Sequence, residues 1–285
     1  MSNVTVLLQN LQGATSVKTS NITQPRCLIY DRVQNYIVTI EQKTNSTLKR
    51  FNATTLALID QLSLGVSGNN LLFYDNSYFL SLANNSIMVY NSSTQSLIAN
   101  IYHSSITSPR DMIFIQNFLI IANTGNAQLL FFQRYSSTNY TYLKQISTTA
   151  VNPHGLHYIS DSLFYLTSWY NNEIYSFSQE QYFQFGPKSQ WTSMTAILPW
   201  TQTLLVPNPN STLHGGDHVT IDDCQRGWFS FQNFGLKVYN SSWTNIADWR
   251  YVTNIFDMIF LDNYVMIMSD DNQNRLIRID PAMAC

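Results

Sequence analysis

The sequence predicts an all-β protein, a six-bladed β-propeller of four-stranded antiparallel blades whose ring is closed by the N-terminal segment. Three observations carry the prediction. No stretch sustains a helical hydrophobic period. Short β-branched and aromatic runs are bounded instead by Asn, Asp, Gly or Ser. One unit of strand, tight turn, strand, polar knot and strand recurs along the chain.

The units begin with "LIYDRVQNYIVTIEQ" at Leu28, "LLFYDNSYFLSLANNSIMVYN" at Leu71 and "MIFIQNFLIIANTGNAQLLFF" at Met112. They continue with "LHYISDSLFYLTSWYNNEIYSF" at Leu156, "VTIDDCQRGWFSFQNFGLKVYN" at Val219 and "MIFLDNYVMIMSDDNQNRLIRID" at Met258. Their spacings, about 43, 41, 44, 63 and 39 residues, match one four-stranded blade per unit. The long interval is read as an insertion in unit four, residues 179–209. A chain of 285 residues accommodates the whole as a single propeller domain, 1–285.

Polar knots join the second and third strands at Asn84-Asn85, Asn123-Thr124-Gly125-Asn126, Tyr170-Asn171-Asn172 and Asn272-Gln273-Asn274. Asn and Gly tolerate the positive φ of tight turns, so a structural role explains the knots without a ligand. More variable fourth strands follow, as at 96–102 and 141–147. The last unit runs out after its third strand. Its outer strand is expected from the N-terminal segment, either 4–9 or the stretch around 16–19.

Apolar residues make up 45% of the chain and charged residues only 11%, so the surface relies on Asn, Ser, Thr and Gln. The net charge is -2 and no basic cluster exceeds Lys49-Arg50, which argues against nucleic-acid binding. No apolar run reaches the length of a membrane span, and the first residues lack the features of a signal peptide. Asn-x-Ser/Thr acceptors stand at Asn3, Asn21, Asn45, Asn52, Asn84, Asn91, Asn139, Asn210 and Asn240, a modest excess over chance. They favour a glycosylated, extracellular or secretory protein, with a cytoplasmic one as the alternative. Cys27, Cys224 and Cys285 leave open one disulfide plus one free thiol, or three thiols.

"SPRDMIFIQNFLIIANTGNAQLLFF" and "NPHGLHYISDSLFYLTSWYNNEIYSF" resemble NHL repeats, with their Pro-x-Gly opening, second strand ending in Ala-Asp and Asn/Gly turn before the third strand. "SDDNQNRLIRID" resembles the start of that third strand. The resemblance is strongest in units three, four and six, and it implies an NHL-like or related six-bladed propeller. Functions in such families range from lyases and lactonases to ligand-binding and scaffold modules.

In a propeller the first strands of the blades converge on the central channel. Residues at their starts include Arg26, Asn70, Arg110, Asp111, His154, His157, His214, Asp217, His218 and Asp257. One reading is catalytic. His154, His214 and His218 are metal ligands, Asp217 or Asp257 orients them, and Arg26 or Arg110 holds an anionic substrate group. The amidating lyases among NHL-like enzymes hold zinc by channel histidines. Theirs come from separated blades, however, whereas these come from adjacent units four and five. The competing reading is that such groups, Arg110 with Asp217 for instance, satisfy one another across the channel.

Other motifs are weaker. "HGGDH" (214–218) lacks the Glu of a zincin, and "DDNQN" (270–274) begins like a calcium loop but has Arg275 where Gly is required. The insertion carries Tyr182, Phe183, Phe185, Trp191 and Trp200, a candidate face for a protein or glycan partner. The expectation is therefore a non-enzymatic binding or structural module without a cofactor. The alternative is an NHL-like lyase or hydrolase with zinc, calcium or acid-base chemistry in the channel.

Overall fold

The computed structural model describes residues 17–179, 199–207, 215–232, 234–250 and 254–279. They form six four-stranded antiparallel sheets. The first strands are Pro25–Asp31, Gly68–Tyr74, Pro109–Ile115, Pro153–Ser160, Gly216–Ile221 and Ile255–Phe260. Each contacts the first strands of both neighbouring sheets, which sets the six around a central channel. Successive strands of a sheet then run outward in chain order.

Burial explains the alternating texture of the sequence. The second strand of blade three, Phe118–Asn123, is buried at every position, whereas its outer strand, Tyr140–Ser147, alternates half-buried and exposed residues. A strand covered on both faces reads as a continuous apolar run, and one with a wet face reads as alternation. The core lies between blades, in six clusters, one per seam. At the seam of blades two and three, Phe79, Val89 and Ile101 pack on Met112, Phe114, Leu119 and Phe132.

The ring is closed by Val17–Asn21, which pairs antiparallel with Arg275–Ile279, Val17 opposite Ile279 and Asn21 opposite Arg275. This is the second of the two predicted N-terminal candidates; residues 4–9 lie outside the described residues. The insertion in blade four needs correction. Thr201–Val206, inside the span 179–209, pairs with Glu173–Ser178 as the blade's own outer strand. Trp200 stacks edge-on against Phe164 at 4.9 Å and so packs on its own blade. Tyr182 and Trp191 lie outside the described residues.

The predicted unit starts all fall three residues inside the observed first strands, on Leu28, Leu71, Met112, Leu156, Val219 and Met258. The cause is a bulge near the start of every first strand, between Pro25 and Leu28, for example, and between Pro109 and Met112. Regular apolar alternation begins only after it.

The polar knots hold blades together. Asn85, Asn172 and Asn274 adopt positive φ of 61°, 54° and 53°. Their side-chain oxygens accept backbone N–H bonds from Ser108, Gly216 and Gln24, at or just ahead of the first strand of the next blade. Asn274 thereby reinforces the closure of blade six on blade one. In blade three the left-handed residue is Ala127, not Gly125 or Asn126. Gly125 is required by close approach, since a Cβ there would stand 2.9 Å from the Thr107 carbonyl oxygen.

Three sequons also have a mechanical explanation. Asn52 accepts N–H bonds from Thr54 and Thr55, Asn91 from Ser93 and Thr94, and Asn240 from Ser242 and Thr244. These Asx turns form the hairpins between third and fourth strands, where Asn followed by Ser or Thr is favoured with or without a glycan.

Candidate functional site

The bulges place two residues from each blade at the channel. The first set is Arg26, Asn69, Arg110, His154, Asp217 and Phe256; the second is Cys27, Asn70, Asp111, Gly155, His218 and Asp257. The two sets do different work.

The second set is framework. A bulge interrupts the ladder and leaves N–H groups to be satisfied by other means. Asp111 accepts from its own Met112 at 2.8 Å and from Leu156 of blade four at 2.8 Å. Asp257 likewise accepts from its own Met258 at 2.7 Å and from Leu28 of blade one at 2.6 Å. The receiving blades are those with Gly155 and Cys27 at this position, which offer no side-chain oxygen of their own. Each aspartate thus serves two blades.

His218 reaches both aspartates, its Nδ1 3.5 Å from Asp111 Oδ2 and 3.7 Å from Asp257 Oδ1. Gly155, lacking a side chain, leaves the space between them open. A Cβ at Gly155 would meet the Asp217 carbonyl oxygen at 2.4 Å and the His218 Cα at 3.1 Å. Burial of His218 opposes its protonation, but Asp257 and Asp111 together outweigh it and push its pKa up to about 9. Asp257 is raised by burial to about 6, with the His218 cation holding it from going higher. His157, whose ring lies 6.2 Å from that of His218, is driven down to about 3 by burial and by the His218 charge. Cys27 is free, and burial, followed by Asp257 and Asp111, holds its thiol protonated.

The first set behaves differently. Arg26, Arg110, His154 and Phe256 line a cavity of about 320 Å³ at the channel mouth, together with Gln232 and Trp169. The Arg26 guanidinium lies 4.3 Å from the centre of the Phe256 ring and 3.6 Å from Asp271. Arg110 makes no hydrogen bond or ion pair among the described residues, and its Nε and that of Arg26 are buried without partners. Its pKa is lowered by burial and by repulsion from Arg26, against the attraction of Asp217. The predicted pairing of Arg110 with Asp217 is therefore only a distant attraction. Asp217 is 1% exposed, and no hydrogen bond of good geometry reaches its carboxylate, although the Gln232 carboxamide lies close enough to lower its pKa. Burial raises its pKa, while Arg26 opposes the rise. His154 Nδ1 lies 3.7 Å from Asp217 Oδ1, and burial followed by the Arg110 charge keeps the imidazole neutral.

The predicted metal trio is not assembled among the described residues. His154 belongs to the first set and His218 to the framework, and His214 lies outside the described residues. No three His, Cys, Asp or Glu side chains are grouped there as a metal would need. Sequence reasoning missed Gln232, Trp169 and Phe256, which come from turns and an apolar strand start that carry no chemical motif. The opposite mouth is a second cavity of about 370 Å³ with His157, His218, Asp222, Asp223 and Asp262 in its wall. Asp222 is occupied there by Arg226 at 2.7 Å and the Trp228 indole at 2.8 Å.

No family model matches the sequence, and no curated protein matches it. Solved structures match in shape. The Cps50 (Swd1) β-propeller domain of Myceliophteria thermophila has a TM-score of 0.66 at 7% identity, over 93% of this chain and 98% of that one. The WD40 β-propeller domain of Doa1 has 0.63 at 11% identity, over 89% and 77%. The computationally designed Ika8 protein has 0.52 at 10% identity, over 90% and 70%. Identity this low carries the fold alone. The chain is a six-bladed β-propeller.

Proposed function

We propose that the protein is a non-enzymatic binding module, NHL-like in its repeats, that captures its ligand at the channel mouth lined by Arg26 and Arg110. One observation carries this reading: three of the channel's titratable groups, Asp111, Asp257 and His218, are committed to the framework. Asp111 and Asp257 each hold two backbone N–H groups, and His218 lies between them. Beside the open cavity Arg110 is left without a partner among the described residues, next to an Arg26 held by Asp271 and Phe256, and this pair of guanidiniums suits binding better than turnover. Propellers with the same fold, such as the WD40 domain of Doa1, support the idea of a display platform without identifying a partner. A protein or glycan partner is the reading carried forward.

An extracellular or secretory location fits the low charge, the disulfide at Cys224, and acceptors such as Asn45 and Asn139 on exposed hairpins. Intact mass before and after glycosidase treatment tests it: a decrease is expected, and an unchanged mass removes the secretory argument. The rival NHL-like lyase or hydrolase draws on the His154 and Asp217 contact. Metal analysis of the purified protein decides between them. Stoichiometric zinc, lost in His154→Ala, would establish the enzyme reading and refute the binding module.

A further inference from the structure

We infer that the cavity at the Arg26 and Arg110 mouth is a binding site for a carboxylate carried on an apolar or aromatic body. The inference rests on the binding-module reading and specifies its ligand. Its starting point is an imbalance that the fold does not need. Arg26 and Arg110 repel one another across the cavity, and Arg110 has no hydrogen bond or ion pair among the described residues. A guanidinium in that position costs stability, so a purely structural role would not retain it.

The rest of the wall decides the class of anion. Burial and the Arg110 charge keep His154 neutral, so the imidazole adds polarity and no third positive charge. Gln42, Thr124, Asn152 and Gln232 make most of the remaining wall polar, while Trp169 and Phe256 contribute a smaller share of ring surface, one face of Phe256 lying under the Arg26 guanidinium. One Arg26 contact goes to Asp271 at 3.6 Å, which leaves Arg110 as the open fork. A planar carboxylate matches a guanidinium fork through two parallel N–H bonds. A fully hydrated anion such as phosphate gains nothing from the two rings. The volume, about 320 Å³, admits a small aromatic acid or the terminal residue of a peptide. Asp217 does not compete for the fork, because it forms no ion pair with either arginine.

The test is calorimetric titration with phenylacetate, with phenylacetamide as its neutral counterpart, and with inorganic phosphate. Phenylacetate is expected to bind, phenylacetamide and phosphate at least about tenfold more weakly. Arg110→Gln is expected to weaken phenylacetate by about 10- to 100-fold. Arg110→Lys, which keeps the charge and loses the fork, is expected to weaken it by about tenfold. Arg110→Gln is also expected to raise the urea midpoint, since it removes a repelled and unpaired cation. A residue with a purely structural role would lower it. An N-acetylated tripeptide ending in phenylalanine, free or amidated at its C-terminus, identifies the source. Tighter binding of the free peptide than of phenylacetate assigns the site to a chain terminus, and the reverse assigns it to a small acid. No binding of phenylacetate or free peptide at 10 mM, equal binding of the neutral amide, or unchanged binding by a folded Arg110→Gln would each overturn the inference. If those failures occur in protein free of zinc, the carboxylate inference alone falls; if stoichiometric zinc is present, the binding-module reading falls as well.

Discussion

Replacing His218 by Gln removes the cation from the middle of the channel and should remove a specific dependence of stability on pH. In the folded protein its pKa stands at about 9, because Asp257 and Asp111 overcome the penalty of burial. In the unfolded chain it returns to about 6.5. A pKa raised on folding gives stability that is fully present below pH 6.5 and is lost as the pH rises through 9. The full contribution is about 3 kcal/mol, at roughly 1.4 kcal/mol per pH unit. His154 and His157 have lowered values and give the opposite slope, but only while unfolded histidines still titrate, below about pH 7.5. The informative window is therefore pH 7.5 to 9. There His218 contributes a loss of about 1.5 kcal/mol, and Asp217, whose carboxyl pKa burial also raises, gives a loss of the same sign up to its folded pKa in wild type and variant alike. Cys27 ionises in the unfolded chain near the top of this window, with the same sign, and contributes equally to wild type and variant. Urea unfolding of both proteins across the window reads the His218 contribution, together with the rise of the Asp257 pKa that loss of the cation permits, as the difference between their slopes. The imidazole resonance absent from His218→Gln spectra gives the pKa directly by NMR titration. Parallel stability curves, or a resonance that titrates below pH 7, would show that the two aspartates do not hold a charged imidazole.

Other changes test the framework. Asp111→Ala removes two backbone N–H bonds and one of the carboxylates beside His218, and is expected to lower stability by about 3–5 kcal/mol in urea unfolding. Gly155→Ala drives a methyl group into the start of blade five and should cost about 1–3 kcal/mol or more; a variant as stable as wild type would show that the two strands are further apart. Asn274→Ala deletes the bond to the Gln24 N–H and should cost about 1 kcal/mol, with faster amide exchange at Thr23 and Gln24 and none of that acceleration in blade three.

Strand grammar was legible because the inner strands are far more buried than the outer one, as in blade three, where the second strand is buried on both faces and the outer strand keeps one face wet. That difference writes itself into apolar runs of blade length. The bulges were not legible, since Pro25-Arg26-Cys27 and Pro109-Arg110-Asp111 break the alternation that marks a strand, and the units were read from Leu28 and Met112 onward. Thr201–Val206 was hidden for a similar reason. Most of its residues are half-buried or exposed, and it follows residues that lengthen the unit. At the channel, sequence position brought Arg26, Arg110, His154, Asp217, His218 and Asp257 to notice together. It did not separate them into two sets, because that division depends on which side of a bulge each residue occupies.

The division has a physical logic that links fold to function. In a ring of repeated units, the residue just ahead of the regular strand must satisfy N–H groups that the bulge frees, and Asp or Asn does so in blades two, three and six. Where that residue is Cys27 or Gly155, the aspartate of the preceding blade takes over, so the demand is met around most of the ring with few side chains. The position one residue earlier carries no such duty. It holds two arginines, an asparagine, a histidine, an aspartate and a phenylalanine, a set with no common structural task. Asn69 alone among them donates to the next blade, at the Pro109 carbonyl. A position released from the fold, facing an open cavity and furnished with two mutually repelling cations of which Arg110 is unpaired among the described residues, is where binding specificity has room to reside.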